Sequence, residues 1–185
     1  MCDCDTGWIV ISQKKYIEET LERFGKSDIH PISTLTLANE HLTKLTSPEI
    51  NVKSYQSTIG ALMYPMLGTR PDLAYMVAAL GRHSASPGAE HQHALDCVFR
   101  YLRAMSDRHL VFLRETPNST MLHSFVDTNW ASDVNDRKSM SGFVFMLGGA
   151  TMSWSSKKQT SVALSSTEAE YITTAHTTKE VIWLR

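Results

Sequence analysis

Apolar and polar positions divide the chain into a helical first part and a strand-rich second part. Apolar residues recur at helical spacing over residues 15–24 and again, more densely, over residues 54–80. Pro65 and Pro71 interrupt the second stretch, and Pro71 fits the first turn of a new helix with Thr69 as its N-cap, so this stretch predicts two helices. Another helix is predicted over residues 89–105.

The second part begins with an apolar run, residues 122–130, that is broken by one acid, Asp127. A polar, turn-forming segment follows, and then two more apolar runs separated by Gly148-Gly149. This pattern predicts an antiparallel meander of three strands.

The last segment predicts a helix that runs to residue 185. Its candidate N-caps are Ser165, Ser166 and Thr167, and its first turns carry Glu168 and Glu170, where the helix dipole favours acids. A carboxylate on a strand and another on a helix packed beside it can converge on divalent metal ions. The sequence therefore indicates a metal site formed by an acid of the first strand and an acid of this helix.

Four segments of the second part resemble, in order and in spacing, the ribonuclease H domain of copia-type LTR retrotransposon Pol polyproteins. These segments are Phe125-Val-Asp-Thr-Asn-Trp-Ala131, Arg137-Lys-Ser-Met-Ser-Gly-Phe-Val-Phe145, Ser153-Trp-Ser-Ser-Lys-Lys-Gln159 and Ser165-Ser-Thr-Glu-Ala-Glu-Tyr171. The first part is similar to the stretch after the polymerase palm and to the thumb and connection, over residues 11–24, 55–64 and 69–75. Almost the whole chain is covered.

The resemblance implies an α/β (α+β) chain in which a helical thumb or connection segment precedes a truncated ribonuclease H-like mixed sheet, with three antiparallel strands and then a helix. The implied divisions are residues 1–50, the end of the palm or thumb with a linker; 51–115, the helical connection; and 116–185, the incomplete ribonuclease H-like domain. No polymerase site is expected, because Cys2-Asp-Cys-Asp5 has no Tyr-x-Asp-Asp pattern.

The resemblance also implies an activity, which is Mg²⁺- or Mn²⁺-dependent cleavage of the RNA strand in an RNA/DNA hybrid. Asp127 matches the first metal-binding aspartate of the family, and Glu170, which precedes the aromatic Tyr171, matches the glutamate of the helix. Glu168 is the rival for that role. Asn129 departs from an aspartate that many family members carry.

The family supplies further aspartates from later in the domain, so the chain is expected to hold half of an active site. Its expected partners are an RNA/DNA hybrid and the remainder of the polyprotein, and the oligomeric state is left open. The alternative is a catalytically inactive remnant that binds nucleic acid or a partner chain, and a host protein domesticated from such an element is a third possibility.

Composition adds constraints to this picture. The 185 residues are 42% hydrophobic, with no signal-peptide pattern and no run near the roughly 20 apolar residues of a membrane span, so an intracellular protein is expected. The chain has only three cysteines, and a small, odd number of cysteines argues against a disulfide scaffold.

The formal net charge of −1 gives no general attraction to nucleic acid. Local basic pairs at Arg137-Lys138 and Lys157-Lys158 are candidate phosphate contacts, although lysines in exposed turns are usually only solvated.

Four other residues invite functional readings that their context disfavours. His91 and His93 are two residues apart, so they point to different faces of a helix and lack a partner set for zinc. Trp130 and Trp154 have the flat rings that stack on bases, but their positions in strand runs favour packing in the core.

Overall fold

A computed structural model describes residues 2–3, 7–35, 50–114 and 121–185. The chain forms two compact units, each described by itself below. The helical unit contains the described residues of Val10–Leu110, and the sheet unit contains those of Cys2–Ile9 and Val111–Arg185. The predicted divisions at residues 50 and 115 stay predictions, and the middle of the predicted linker, residues 36–49, lies outside the described residues.

The described residues form a mixed α/β structure with five α-helices and two sheets. The helices are α1 (Lys14–Arg23), α2 (Val52–Gly68), α3 (Ala74–Gly81), α4 (Ala89–Ala104) and α5 (Ser166–Leu184), with a short 3-10 helix at Pro71–Leu73. The strands are β1 (Cys2–Asp3), β2 (Trp8–Ile11), β3 (Leu110–Leu113), β4 (His123–Asn129), β5 (Met140–Leu147) and β6 (Ala150–Lys158). One sheet has the order β1-β2-β3 and the other β4-β5-β6.

In the helical unit, α1 to α4 surround one apolar core. Its most buried members include Ile17 of α1, Leu62 of α2, Leu80 of α3 and Leu95 of α4, none of them more than 1% exposed. The sequence pattern correctly predicted these helices because apolar positions at helical spacing mark the face that meets a core. Burial of each such side chain contributes about 1.5–3 kcal/mol.

The predicted break at Pro65 is wrong, because α2 continues through this residue. Proline has no N–H, so the carbonyl of Ala61, four residues earlier, loses its usual helical partner. The Tyr16 hydroxyl of α1 donates a hydrogen bond to that carbonyl at 3.1 Å. A tertiary contact therefore satisfies the group that the proline leaves unpaired.

The predicted N-cap role of Thr69 is also wrong, since this residue closes the C-terminus of α2. Its hydroxyl donates a hydrogen bond to Gln13 Oε1 at 2.8 Å. The next residue, Arg70, is 1% exposed, and its guanidinium donates hydrogen bonds to the Asp72 carboxylate and to the Met105 carbonyl. The Thr-Arg-Pro-Asp segment is therefore an anchor within this unit.

In the sheet unit, β4, β5 and β6 form the predicted antiparallel meander, with Asp127 opposite Gly142 and Gly142 opposite Ser156. The β5–β6 hairpin turns at Gly148 and Gly149, whose φ angles are +57° and +80°. A two-residue hairpin loop with positive φ at both positions has the twist that antiparallel strands require, and glycine adopts it without strain. The glycine pair was therefore a reliable turn signal.

Replacement of Gly148 by alanine is expected to destabilise the sheet unit more than Gly25→Ala destabilises the helical unit. Both positions have positive φ, which costs a residue with a Cβ about 1–2 kcal/mol. A Cβ at Gly148 would also lie 3.0 Å from the Leu113 carbonyl oxygen, whereas a Cβ at Gly25 would meet nothing within 4 Å. Thermal unfolding followed by circular dichroism measures both variants, and equal losses would contradict the steric part of this account.

Candidate functional site

The first turn of α5 has a defined cap at Ser165. The Ser165 Oγ accepts a hydrogen bond from the Glu168 N–H at 3.1 Å, and a Glu168 carboxylate oxygen accepts one from the Leu164 N–H at 2.7 Å. This reciprocal arrangement satisfies backbone donors at the helix start, as in a capping box. Glu168 therefore has a structural role that accounts for its position.

Among the three candidate caps, only Ser165→Ala is expected to destabilise α5 noticeably. The loss of an N-cap side chain typically costs about 1 kcal/mol, and the structure gives that role to Ser165. Ser166→Ala is the matched control, because this residue lies inside the helix and alanine favours helix formation. A lower melting temperature for Ser166→Ala than for Ser165→Ala would contradict this cap assignment.

α5 packs on one face of the β4-β5-β6 sheet through small and hydroxylated side chains. Ala169, Thr173 and Thr177 are its buried residues, one turn apart from each other. The Thr173 hydroxyl lies 2.6 Å from the Thr128 Oγ1 of β4 and 2.7 Å from the Ser141 Oγ of β5. This contact fixes α5 above the first two strands of the sheet.

Glu170 lies on the flank of α5 that points toward β4. Residues advance by about 100° around an α-helix, so Ile172 and His176 lie on one side of the buried stripe and Glu170 on the other. Ile172 and His176 line a cavity with Lys157 of β6. The opposite flank, with Glu170, therefore faces the β4 side of the sheet.

Asp127 is exposed on β4, next to the residue that contacts α5. Because successive side chains of a strand point to opposite faces, Asp127 shares its face with Phe125 and lies opposite to Thr128. β4 is the first strand in the sheet order, and no described strand pairs with its outer edge. Asp127 therefore lies on the face of β4 opposite to the one that α5 covers, whereas Glu170 lies on α5 itself.

The two carboxylates do not face each other across the helix–sheet interface. Carboxylate oxygens are ligands that suit Mg²⁺, which keeps several waters in its coordination sphere, so this pair fits such an ion. In the described part of the chain, no three His, Cys, Asp or Glu residues are grouped closely enough to form a metal site.

Of the four predicted phosphate-binding residues, Lys158 has the most extensive protein contacts. Its Nζ lies 2.8 Å from a carboxylate oxygen of Asp133 and 2.8 Å from one of Asp136, in the turn after β4. Burial alone would lower the pKa of Lys158, but hydrogen bonds and attraction to these two carboxylates raise it. Hydrogen bonding to Lys158 in turn lowers the pKa of Asp136.

The other three basic residues differ in their exposure. Lys138 is half-buried and lies 3.9 Å from a carboxylate oxygen of Asp136, whereas Arg137 and Lys157 are exposed. Arg137 also has a positive φ of 58° at the tight turn before β5. The geometry thus leaves Arg137 and Lys157 open to solvent and makes Lys158 a link between two acids of the turn.

The aromatic and histidine predictions have mixed outcomes. Core packing is wrong for Trp130, which is 48% exposed and whose Nε1–H donates a hydrogen bond to the Ala163 carbonyl. Trp154 is half-buried. His91 and His93 point to different faces as predicted, because His91 is fully buried with its Nδ1 accepting a hydrogen bond from the Gly88 N–H, whereas His93 is exposed.

Sequence reasoning missed Gln159, which is a hub of the sheet unit. This residue is 6% exposed, and its Nε2 donates hydrogen bonds to the Ser141 Oγ at 3.0 Å and to the Ala169 carbonyl at 2.9 Å. Its Oε1 is a buried acceptor without a hydrogen-bond partner among the described residues. Only its place between a strand and a helix N-terminus could have drawn attention to it.

Comparison with known proteins establishes the family. The chain is 41% identical over 182 residues to the retrovirus-related Pol polyprotein from transposon TNT 1-94 of Nicotiana tabacum. The matched residues make up 95% of this chain and 14% of that protein. It is 38% identical over 179 residues to the corresponding polyprotein from transposon RE1 of Arabidopsis thaliana, which covers 94% and 12%, respectively. The chain belongs to the retrovirus-related Pol polyproteins of copia-type transposons.

A shorter relative shares much of the chain. Secreted RxLR effector protein 161 of Plasmopara viticola is 45% identical over 130 residues, which are 70% of this chain and 90% of that protein. No family model and no solved structure matches the chain. In the described ranges, no helix has the length and apolar character needed to cross a membrane. The chain spans 14% of the TNT 1-94 polyprotein and 12% of the RE1 polyprotein. The activity of a whole polyprotein is therefore not a property of this segment alone.

Proposed function

We propose that the sheet unit is the first part of a ribonuclease H-like domain, and that this domain, within a Pol polyprotein, cleaves the RNA strand of RNA/DNA hybrids. The observation that carries the proposal is the placement of Asp127 and Glu170. Thr128 of β4 and Thr173 of α5 are in direct contact. Asp127 is the residue before Thr128, and Glu170 lies about one helical turn before Thr173. The Pol polyproteins among the relatives support the same reading.

Asp127 and Glu170 would bind Mg²⁺ or Mn²⁺. When bound, such ions activate a water molecule and stabilise the leaving oxygen in phosphodiester hydrolysis. The two side chains contribute hard, anionic oxygens from a strand and from a helix that are tied together by the Thr128–Thr173 contact. Their exposure leaves room for a phosphodiester and for ligands from other residues.

A third element beside β4 would complete this site. Phe125 is 62% exposed and Val126 is 43% exposed, and these neighbours lie on opposite faces of the edge strand. An edge strand with an exposed apolar side chain on each face favours pairing with a further strand. We infer that the remainder of the polyprotein supplies this strand and additional carboxylate ligands.

The substrate would be held through its backbone. Arg137, Lys138 and Lys157 are the proposed phosphate contacts, and recognition of the RNA strand would rest on its 2′-hydroxyls and on minor-groove shape. Lys158 has a smaller part in this proposal, because two carboxylates already bind it. We infer that the helical unit is a thumb or connection segment that joins the nuclease to the polymerase in an intracellular polyprotein.

The test is cleavage of a labelled RNA/DNA hybrid by the purified Pol polyprotein that contains this chain, in Mg²⁺ and in EDTA, with Asp127→Asn as control. Mg²⁺-dependent cleavage that this substitution abolishes supports the proposal. Cleavage that persists in EDTA or in the variant would indicate a contaminating nuclease.

A second candidate is a catalytically inactive remnant that binds nucleic acid or a partner chain. The observation in its favour is that, among the described residues, no three His, Cys, Asp or Glu residues are grouped closely enough to hold a metal ion. The short relative from Plasmopara viticola matches this chain over 90% of its own length, so a segment of this kind also occurs as a small protein. Hybrid binding without cleavage, by a chain shown to be folded, would favour this candidate.

A further inference from the structure

A small cavity lies in the sheet unit between α5 and the last two strands. Its volume is about 60 Å³. A single buried water needs roughly 10–15 Å³, so the cavity has room for several waters or for one group the size of a phosphate. Its lining includes Ser141 of β5, Lys157 and Lys158 of β6, Gln159, and His176 of α5.

The lining is basic and rich in hydrogen-bonding groups. Lys157 of β6 and His176 of α5 are both exposed at this cavity, and no aspartate or glutamate lines it. The nearby Glu180 accepts a hydrogen bond from the Ser153 Oγ at 2.6 Å and is not part of the lining. An anion in the cavity would therefore meet Lys157 and hydroxyl donors, and the carboxylates of Asp133 and Asp136, which lie next to this lining, are already bound by Lys158.

The wall of the cavity is fixed by Gln159. Its amide nitrogen is held by Ser141 and by the Ala169 carbonyl, which joins β5 and β6 to the start of α5. Its buried Oε1 is an acceptor without a partner among the described residues, which a water molecule in the cavity would satisfy by donating a hydrogen bond; it does not contact the anion. A fixed polar wall of this kind reduces the ordering cost of binding.

We propose that this cavity is a phosphate-binding subsite, with Lys157 and His176 as its main donors. The extension to a backbone phosphate of an RNA/DNA hybrid rests on the proposed nuclease function, whereas the affinity for phosphate itself does not. The site lies on the flank of α5 opposite to Glu170, so it would hold the substrate at a distance from the bond that is cleaved. In this proposal Lys157 contacts the phosphate, whereas Lys158 does not, because its Nζ binds Asp133 and Asp136.

The first arm of the test uses inorganic phosphate and ¹H–¹⁵N correlation spectra of the full chain. Titration to millimolar phosphate is expected to shift the backbone signals of Gln159, Thr160 and His176, and these shifts should disappear in the Lys157→Gln and His176→Gln double variant. The same titration with chloride at matched ionic strength is the control. Absence of selective shifts in the folded wild-type chain would overturn the proposal, even if Asp127-dependent cleavage were observed.

The second arm measures hybrid binding in EDTA as a function of salt, so that no cleavage occurs. Each phosphate contact contributes close to one unit to the slope of log affinity against log salt, and Lys157→Gln is expected to reduce the slope by about one. Lys15→Gln is the matched control, because the Lys15 side chain is 90% exposed and lies in the helical unit. Equal reductions in both variants would indicate general charge attraction and would overturn the subsite.

The two arms separate the sources of the phosphate. Selective phosphate shifts together with a Lys157-specific loss of slope support a backbone subsite. Phosphate shifts without hybrid binding would restrict the site to a free anion and refute the extension to nucleic acid. Asp127→Asn should leave both arms unchanged while abolishing cleavage, so failure of the nuclease proposal and failure of the subsite are distinguishable.

Discussion

Asp127→Asn and Glu170→Gln are each expected to reduce hybrid cleavage by about a thousandfold or more, while Glu168→Gln leaves the cleavage rate within a few fold of wild type. Metal-ion catalysis supplies several kcal/mol of charge stabilisation, and each 1.36 kcal/mol corresponds to a tenfold change in rate. Loss of one carboxylate ligand would remove much of this contribution. The measurement is single-turnover cleavage in Mg²⁺ by the Pol polyprotein that contains this chain, with the fold of each variant verified.

Glu168→Gln is an informative control because it keeps the side-chain length and changes the charge, as Glu170→Gln does. The Glu168 carboxylate accepts the Leu164 N–H at 2.7 Å, so its replacement should lower the melting temperature slightly and leave the chemistry intact. The reverse pattern, in which Glu168→Gln abolishes cleavage and Glu170→Gln does not, would transfer the metal-binding role to Glu168.

The parts of the fold that the sequence predicts well are those with local signals. The β5–β6 hairpin follows from Gly148-Gly149, because the turn needs positive φ at two adjacent positions and the strands flank it directly. The start of α5 follows from Ser165 and Glu168, which are three residues apart as in a capping box. In both cases the interacting groups lie within a few residues of each other.

The parts that the sequence does not predict depend on distant partners. At Pro65, the Ala61 carbonyl that the proline leaves unpaired accepts a hydrogen bond from the Tyr16 hydroxyl, 45 residues earlier in the chain. Trp130 is half exposed because its ring N–H reaches the Ala163 carbonyl, which lies in the segment before α5. Hydrophobic periodicity gives no information about such pairs.

The candidate site shows the same division. The two acid-bearing elements follow from local pattern, and the family resemblance singles out Asp127 and Glu170. The faces of the sheet on which they lie depend on the register of β4 with β5 and on the packing of Thr173 against Thr128. Strand alternation and the packing of α5 put Asp127 on the face of β4 opposite to the one that α5 covers, and the sequence pattern alone does not reveal this.

Asp72→Asn is expected to destabilise the helical unit by about 3 kcal/mol. The Asp72 carboxylate accepts hydrogen bonds from the buried Arg70 guanidinium and from the Tyr101 hydroxyl, the latter at 2.7 Å. Removal of one partner from a buried ion pair leaves an uncompensated charge, which typically costs 3–5 kcal/mol. The lower value applies because the Asp72 side chain is 28% exposed.

This interaction also predicts how stability depends on pH. Burial alone would raise the pKa of the Asp72 carboxyl, but Arg70 and Tyr101 together hold it below its ordinary value. A carboxyl whose pKa is lower in the folded chain stabilises the fold above its unfolded pKa of about 3.9, and that contribution is lost as pH falls through the folded pKa. The stability difference between wild type and Asp72→Asn should therefore be largest near neutral pH and shrink below about pH 4.

Urea unfolding from pH 7 to pH 3 measures this effect. The positions of the tryptophans allow the unfolding of the two units to be followed separately. All four, Trp8, Trp130, Trp154 and Trp183, belong to the sheet unit, so their fluorescence serves as an internal control while circular dichroism at 222 nm also reports the helical unit. Asp107→Asn, at an exposed carboxylate of the helical unit, should change stability by no more than about 0.5 kcal/mol. A similarly small effect of Asp72→Asn would show that Arg70 does not depend on this carboxylate.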